Sequence, residues 1–148
     1  MKVGLFGFGK AGRAVATVLL QSKEAYLCWV IRKSTVLQHR SVPEFLGIKH
    51  DDPGLIYSKD EWTPEQLFDK YPVDVIIDFS SAEAVLSYGE EAARRGITIV
   101  TAISAYPAET VVLLKKLSRK TRVLWSPNIT IGINFLLLAA KILKTIAP

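Results

Sequence analysis

The sequence predicts an α/β protein built around a doubly wound, mostly parallel β-sheet. Short apolar runs rich in Val and Ile alternate with helical patterns along the chain. Such alternation implies parallel strands joined by right-handed helical crossovers, and runs without polar alternation suit strands that are covered on both faces. A glycine-rich turn between the first apolar run and the first helical pattern supports the same fold class. The 148 residues have the size of one domain, which we place at 1–148.

The elements of the first half are predicted from local patterns. Apolar runs indicate strands, and the alanine-rich stretch after the glycines indicates a helix. The predicted elements are a strand at Lys2–Gly7, a helix at Lys10–Ser22, a strand at Ala25–Ile31 and a weaker strand at Leu55–Ser58. The rest of the segment from Arg32 to Asp60 has no clear pattern beyond a turn at Asp51–Gly54.

Helix-start and helix-stop signals organise the second half. Thr63-Pro64-Glu65-Gln66 and Ser80-Ser81-Ala82-Glu83 both match a capping box, in which a hydroxyl and an acidic or amide side chain satisfy free N–H groups. Gly96 predicts the end of the second of these helices, near Arg95. The other predicted elements are strands at Val73–Phe79, Ile97–Ile103 and Thr121–Trp125, a helix at Pro107–Ser118 and a final helix at Gly132–Ile146.

Composition argues against several classes of partner. The formal net charge is +5, but the cations are scattered over predicted helix ends and surfaces, which favours solvated faces over a nucleic-acid site. The longest apolar stretch, Phe135–Ala140, is far shorter than the ~20 residues of a membrane span. Cys28, the single cysteine, lies in an apolar run, so we expect a buried thiol and a reducing, cytoplasmic location.

The glycine loop, Gly7-Phe8-Gly9-Lys10-Ala11-Gly12, matches the G-x-G-x-x-G pattern between a strand and a helix. The first glycine permits a tight turn, the second lets the backbone approach a pyrophosphate, and the third allows close helix–strand packing. The helix start offers unpaired N–H groups and partial positive charge to an anion, and Lys10 adds a full charge. The pattern predicts a Rossmann-like dinucleotide site; the alternative is a tight turn that binds no ligand.

The residue after the second predicted strand bears on the choice of dinucleotide. Sites that prefer NAD usually place Asp or Glu about 20 residues after the glycines, where the carboxylate holds the ribose 2′-OH. This sequence has Arg32 there, followed by Lys33. A guanidinium pairs with a 2′-phosphate that a carboxylate would repel. We therefore predict NADP(H) as the preferred cofactor, with NAD(H) possible; the alternative is an ordinary solvated loop.

Two later segments resemble the 4-hydroxy-tetrahydrodipicolinate reductases, also called dihydrodipicolinate reductases. The segment DVIIDFSSAEA at 74–84 is similar to their DVxIDFSxPEA segment. The segment NITIGIN at 128–134 is similar to their N-F-S-x-G-V-N segment. With the glycine loop, these motifs follow the family's order and approximate spacing. The resemblance covers most of this chain but only the cofactor-binding half of the family's proteins.

The resemblance implies an NAD(P)H-dependent oxidoreductase of lysine and diaminopimelate synthesis that reduces a cyclic dicarboxylate. It implies that the glycine loop holds the pyrophosphate and that Arg32 and Lys33 meet the adenosine ribose or its phosphate. It also implies a set of residues that line the cofactor cleft. These are Phe79, Ser80, Thr101, Ala102, Ile103, Ser126, Pro127, Asn128 and Ile129.

Two departures from the family pattern affect this expectation. Thr101-Ala102-Ile103-Ser104 stands where the family has G-T-T-G, which adds side chains beside the nicotinamide. The sequence ends before the family's substrate domain, with its His-His pair and K-x-D-A-P-S-G-T segment, so 129–148 would correspond to the helix that leads into that domain. For His39 and His50 we expect surface or structural roles. We therefore predict no catalytic residue and no metal site among these residues.

Three functions remain open on the sequence alone. The first is the reductase activity, the second is a catalytically silent NADP(H)-binding module for sensing or assembly, and the third is a different Rossmann enzyme that needs a partner chain. The final helix is apolar nearly all round, with Lys141 and Lys144 as its main charged positions. This pattern predicts a homodimer that buries the helix. The alternative is a helix packed back on its own sheet.

Overall fold

A computed structural model of the protein describes residues 1–51, 54–127 and 131–146. Within these residues the chain forms six strands and six helices. The strands are β1 Lys2–Phe6, β2 Tyr26–Arg32, β3 Leu55–Ser58, β4 Val75–Asp78, β5 Thr98–Thr101 and β6 Val123–Trp125. The helices are α1 Lys10–Gln21, α2 Val42–Leu46, α3 Pro64–Lys70, α4 Ala84–Arg94, α5 Ala108–Leu117 and α6 Ile131–Ile146.

The strands form one sheet in the order β3-β2-β1-β4-β5-β6, and every neighbouring pair is parallel. The chain runs outward from β1 to β3, returns to β4 beside β1, and runs outward again to β6. This is the doubly wound order in which ligands bind at the carboxyl ends of the strands, where the order reverses. The predicted fold class is therefore confirmed, and the reversal lies between β1 and β4.

Apolar side chains cover both faces of the sheet, as the uninterrupted Val and Ile runs predict. On one face, Trp29 has no exposed surface and its ring meets the ring of Phe6 edge-on at 5.5 Å. A Cβ placed on Gly4 would lie 2.2 Å from the Trp29 ring, so the missing side chain makes room for the indole. On the other face, Val3, Leu5 and Val30 belong to a second buried cluster.

Apart from α2 and the start of α4, the predicted elements match the described ones to within a few residues. Helix α2 is absent from the prediction because five residues are too few to show a helical period. Its ends are nevertheless marked, since Ser41 accepts a hydrogen bond from the Glu44 N–H and Gly47 has a φ of 67°. The turn predicted at Asp51–Gly54 includes Asp52 and Pro53, which lie outside the described residues.

Of the two predicted capping boxes, one is confirmed and one is wrong. At α3 the Thr63 hydroxyl accepts from the Gln66 N–H, and the Gln66 side chain accepts from the Thr63 N–H. At α4 the helix begins only at Ala84, and its N-cap Glu83 forms no side-chain cap bond. The Ser80 hydroxyl donates to Asp78 instead, so this serine belongs to the end of β4 and not to the helix.

Ion pairs connect α3 and α4. Glu91 pairs with Arg94 of α4 and with Arg95, the C-cap of that helix, and Arg95 reaches Asp69 of α3 with an N–O distance of 2.7 Å. The Arg94 and Arg95 hydrogen bonds lower the pKa of Glu91 to about 2. Several scattered basic residues thus pair with acids of the protein surface.

Replacing Glu91 by Gln is expected to weaken the dependence of stability on acid pH. The folded pKa of Glu91 lies below its usual value, so its ion pairs stabilise the fold above about pH 4.5 and are lost as the pH falls toward 2. Melting temperatures of the wild type should fall over this interval more than those of Glu91→Gln. The matched control is Glu109→Gln, which neutralises an exposed acid in the first turn of α5. If the melting temperatures of the wild type and Glu91→Gln fall equally over this pH interval, the stabilising role of the Glu91 ion pairs is contradicted.

Two further expectations concern the thiol of Cys28 and the absence of a membrane-spanning segment. Cys28 is half-buried in β2, so the expected fully buried thiol is wrong. Its side chain is partly buried and packs against the core cluster that contains Trp29. Within the described residues, no helix has both the length and the apolar character to span a membrane.

Candidate functional site

The candidate site lies at the carboxyl ends of β1, β2, β4 and β5, where the connecting loops are tied to one another by backbone hydrogen bonds. Gly7 N–H donates to Ile31 O at 2.8 Å, and Phe79 N–H donates to Phe6 O at 2.8 Å. On the far side, Ala102 N–H donates to Asp78 O at 3.0 Å. These bonds extend the parallel ladders past the strands and hold the glycine loop between the ends of β2 and β4.

The three glycines of the loop have different surroundings in the structure. Gly7 has a φ of 94°, and a Cβ there would lie 2.6 Å from the Phe79 carbonyl. A Cβ on Gly12 would lie 2.0 Å from Gly7 O, so this position allows α1 to start directly against the turn. A Cβ on Gly9 would meet nothing within 4 Å among the described residues. Gly7 and Gly12 are therefore required by packing, whereas the space beside Gly9 is open to a ligand.

The start of α1 offers backbone donors to that open space. Gly9 is the N-cap and has no side chain to cap the helix, and the first intrahelical bond runs from Arg13 N–H to Gly9 O at 3.0 Å. The N–H groups of the first turn therefore lack helical acceptors. Lys10 and Ala11 are exposed beside them. This arrangement fits a phosphate or diphosphate anion, since it combines free donors, helix-dipole charge and close access.

The side chain of Phe8 does not face this opening. It is 3% exposed, belongs to the core, and its ring packs 5.6 Å from the ring of Phe45 in α2. Only the Phe8 backbone remains for a ligand. Arg13, which sequence reasoning missed, lies with its guanidinium 4.9 Å from the Phe45 ring centre and donates to Phe8 O at 3.3 Å. In the sequence, the only signal for this arginine is its position directly after Gly12, the third glycine of the loop.

The end of β2 carries the two cations that the sequence analysis singles out. Arg32 is half-buried, and its carbonyl accepts from Lys59 N–H at 2.8 Å. Lys33 is exposed and lies near Glu83. A hydrogen bond from Ser81, with a contribution from the Lys33 charge, lowers the pKa of Glu83. The loops that follow β2 and β4 thus approach each other beside the glycine loop.

The end of β4 contains a buried carboxylate that the sequence analysis did not single out. Asp78 has no exposed surface; its Oδ1 accepts from Ser80 N–H at 2.9 Å, and its Oδ2 accepts from the Tyr88 hydroxyl at 2.8 Å. Burial raises the pKa of Asp78, while the hydrogen bonds from Ser80 and Tyr88 oppose that shift. An aspartate that ends an apolar strand was the sequence signal. Phe79 is half-buried and packs against the second buried cluster, and Ser80 is exposed.

The loop after β5 differs from the expected arrangement at Thr101. This residue is 1% exposed, and its hydroxyl lies 2.6 Å from the Tyr106 hydroxyl, so its side chain supports the loop from within. Burial raises the pKa of Tyr106 to about 12, with a contribution from the Asp78 charge. Ala102 and Ile103 are half-buried. Within residues 101–104 no φ is positive, which explains why this loop forms without the glycines of the family pattern.

The loop after β6 is described only in part. Ser126 N–H donates to Thr101 O at 2.9 Å, and Ser126 and Pro127 are half-buried next to the end of β5. Asn128 and Ile129, which the resemblance also assigns to the cleft, lie outside the described residues. The described part of the cleft is therefore formed by the ends of β1, β2, β4, β5 and β6.

Neither histidine is among the residues that form the described part of the cleft. His39 Nε2 lies 2.7 Å from Glu61 Oε1, which links the loop after β2 to the loop after β3, and His50 is exposed. In the described ranges no three His, Cys, Asp or Glu side chains are grouped to hold a metal ion.

Two concave surfaces lie at the opposite, amino-terminal edge of the sheet. They have volumes of about 700 and 560 Å³, and the larger is lined by Arg95, Arg119 and Arg122 among others. The carboxyl ends of α4 and α5 lie at this edge and carry partial negative charge, which accounts for basic residues there without a ligand. We therefore place the site at the strand ends, where free N–H groups and an open approach coincide.

The family described as "Dihydrodipicolinate reductase, N-terminus" matches residues 1–129 of this chain. A 4-hydroxy-tetrahydrodipicolinate reductase from Nitratidesulfovibrio vulgaris is 31% identical over 138 residues, which cover 93% of this chain and 49% of the relative. The chain thus spans about half the length of that relative.

Solved structures share the fold at low sequence identity. A dipicolinate-bound dihydrodipicolinate reductase from Paenisporosarcina sp. TG-14 superposes with a TM-score of 0.69 and 16% identity, over 97% of this chain and 53% of that one. An NADPH complex of a hyperthermophilic archaeal homoserine dehydrogenase mutant gives a TM-score of 0.52 and 21% identity, over 84% of this chain and 42% of that one. Both likenesses show that the chain shares its fold with these two proteins.

Proposed function

Because this chain belongs to the dihydrodipicolinate reductase family, we propose that it is the cofactor-binding part of an NAD(P)H-dependent reductase acting on a cyclic dicarboxylate. The proposal places the dinucleotide on the glycine loop, with NADP(H) preferred over NAD(H). The observation that carries it is the open space at Gly9 in front of the uncapped start of α1, framed by the two glycines that packing requires.

The residues of the site divide into binding and supporting roles. The N–H groups at the start of α1, together with Lys10, would hold the pyrophosphate, and Arg32 with Lys33 would hold the ribose 2′-phosphate. Ser80, Ala102, Ile103 and Ser126 would line the nicotinamide end, over the buried side chains of Asp78 and Thr101. The bound cofactor supplies a hydride. The protein residues orient it by fixing the loops at the strand ends and by excluding water beneath them.

The substrate side of the cleft is proposed to come from groups beyond those described. Reduction of an imine-like acceptor needs a positioned substrate and a proton source as well as a hydride donor. The family's His-His and lysine segments have no counterpart in this sequence. We propose that a substrate domain, on the same polypeptide or on a partner chain, completes the active site.

Titration of the protein with NADPH and with NADH, followed by a reductase assay, tests this proposal. We expect saturable binding of both, with NADPH tighter. Turnover should appear only when a substrate domain is supplied. Binding without turnover under every condition would favour the silent NADP(H)-binding module, and absence of binding would reject the proposal altogether.

We also propose a homodimer that buries α6, because this helix presents large apolar side chains to solvent. Phe135, Leu136, Leu138 and Leu143 are each more than half exposed. Light scattering should report a dimer at micromolar concentration, and Leu138→Glu should shift it to monomer by placing a charge in an apolar contact. Lys141→Glu, on the same helix at an already polar position, is the matched control. A wild-type monomer would contradict the dimer and leave α6 for the substrate domain to cover.

A further inference from the structure

We propose that Asp78 is a positioning residue that fixes Ser80 as a hydrogen-bond acceptor at the cofactor cleft. Beside Ser80, the site would therefore bind a hydroxyl or amide N–H of the ligand and disfavour an anionic oxygen. The inference rests on the proposed dinucleotide binding and adds a specificity element to it.

The geometry around Asp78 commits the proton of Ser80. Among the described residues, the carboxylate receives three donors: the Ser80 N–H at 2.9 Å, the Ser80 hydroxyl at 2.5 Å and the Tyr88 hydroxyl at 2.8 Å. An ionised carboxylate accepts all three, because it has two oxygens and about four lone-pair sites. A serine hydroxyl has a single proton. Once that proton is donated to Asp78, only lone pairs remain for a ligand.

The position of Ser80 makes those lone pairs relevant to the cofactor. Asp78 is fully buried, whereas Ser80 is exposed directly above it. The turn also lies against the glycine loop, since a Cβ on Gly7 would be 2.8 Å from Ser80 N. Ser80 thus stands beside the strand-order reversal, between the pyrophosphate end and the nicotinamide end of the proposed cofactor. The donors of a dinucleotide in this region are the ribose hydroxyls and the carboxamide NH₂.

A purely structural role would not require a carboxylate here. Ionised groups are costly to bury, and burial does raise the pKa of Asp78. A neutral asparagine side chain at the same position would still accept one bond at the end of β4, so packing alone does not explain the charge. A buried carboxylate does explain why the hydroxyl points inward, because a charged acceptor outcompetes water for the Ser80 proton.

The test measures NADPH affinity in a double-mutant cycle of Ser80→Ala and Asp78→Asn, with melting temperatures as the folding check. Ser80→Ala should weaken NADPH binding about fivefold, the size of one neutral hydrogen bond. Ser80→Thr, which keeps the hydroxyl, should bind NADPH more tightly than Ser80→Ala. Asp78→Asn should weaken binding in the Ser80 background and have no further effect in the Ser80→Ala background. Tyr88→Phe is the matched control, because it removes a donor from Asp78 without touching Ser80 and should leave affinity unchanged.

A second measurement keeps the inference testable should Asp78→Asn fail to fold. The wild type should lose NADPH affinity as the pH falls and Asp78 takes up a proton, and Ser80→Ala should lack that component. The other titratable groups that face Asp78 are Tyr88 of α4 and Tyr106 after β5, whose raised pKa values keep them protonated throughout this range. Titration of the ligand's 2′-phosphate is common to both proteins and cancels in their difference.

The outcomes separate this inference from the function on which it rests. A wild type that does not bind NADPH rejects the proposed function. If the wild type and Ser80→Ala bind NADPH with equal affinity, the proposed role of Ser80 is overturned and the proposed function stands. An Asp78→Asn effect that persists in the Ser80→Ala background, or equal pH profiles for the two proteins, overturns the positioning role of Asp78.

Discussion

The variant Gly12→Ala is expected to lose about 3 kcal/mol of folding free energy, at the upper end of what overpacking usually costs. The added Cβ would lie 2.0 Å from Gly7 O and 2.8 Å from Gly7 C, and both are backbone atoms that cannot rotate away. The gain in helix propensity from Gly to Ala, about 1 kcal/mol, is too small to offset this clash. The start of α1 must therefore move off the turn. Urea unfolding monitored by circular dichroism measures the loss.

The control for this prediction is Gly9→Ala in the same loop. Its backbone is extended, with a φ of −76°, and its Cβ would meet nothing within 4 Å among the described residues. Folding stability should change by less than about 1 kcal/mol, the scale of a Gly-to-Ala change that strains nothing. Equal stability of Gly12→Ala and Gly9→Ala would show that α1 does not start against Gly7.

The variant Arg32→Asp is expected to lose about 1.5–3 kcal/mol of NADPH binding free energy, the scale of a hydrogen bond to a charged group. The new carboxylate would repel the 2′-phosphate that the guanidinium is proposed to bind. NADH has a hydroxyl at that position, so its affinity should hold or rise. Calorimetric titration with both nucleotides measures the change in preference.

The matched control is Arg122→Asp, which makes the same change in charge at the opposite edge of the sheet, just before β6. Its effect on NADPH binding should be small, because charges at that distance are screened at physiological ionic strength. An equal loss in both variants would reduce the role of Arg32 to net charge. No loss in Arg32→Asp would remove the assignment of NADP(H) preference.

Much of the fold could be predicted because its signals are local and repeated. Val and Ile runs at Val75–Asp78 and Thr98–Thr101 mark buried parallel strands. Gly96, which has a positive φ, marks the turn that follows α4. The glycine loop could be predicted because two of its glycines, Gly7 and Gly12, answer distinct steric demands. The parallel direction of the strands followed from their alternation with helices and needed no long-range information.

The wrong capping box, and the inward side chains of two predicted site residues, arise where a local pattern competes with a tertiary contact. Ser80 and Glu83 have the spacing of a capping box, yet the serine hydroxyl donates to the buried carboxyl group of Asp78 instead. Phe8 occupies a ligand-contacting position in the motif, but the core on the far side of the loop takes its ring. Thr101 likewise turns inward to Tyr106. Which face a side chain takes at a strand end depends on neighbours that sequence spacing does not reveal.

Calorimetric titration of NADPH into the wild type and into Gly9→Val tests the central claim most directly. The extended backbone at Gly9 accepts a side chain, so both proteins should melt at similar temperatures. The account predicts saturable one-to-one binding to the wild type and at least a tenfold weaker affinity in the variant, because the valine fills the space proposed for the pyrophosphate. Equal affinity in the two proteins, or no binding to the wild type, would contradict it.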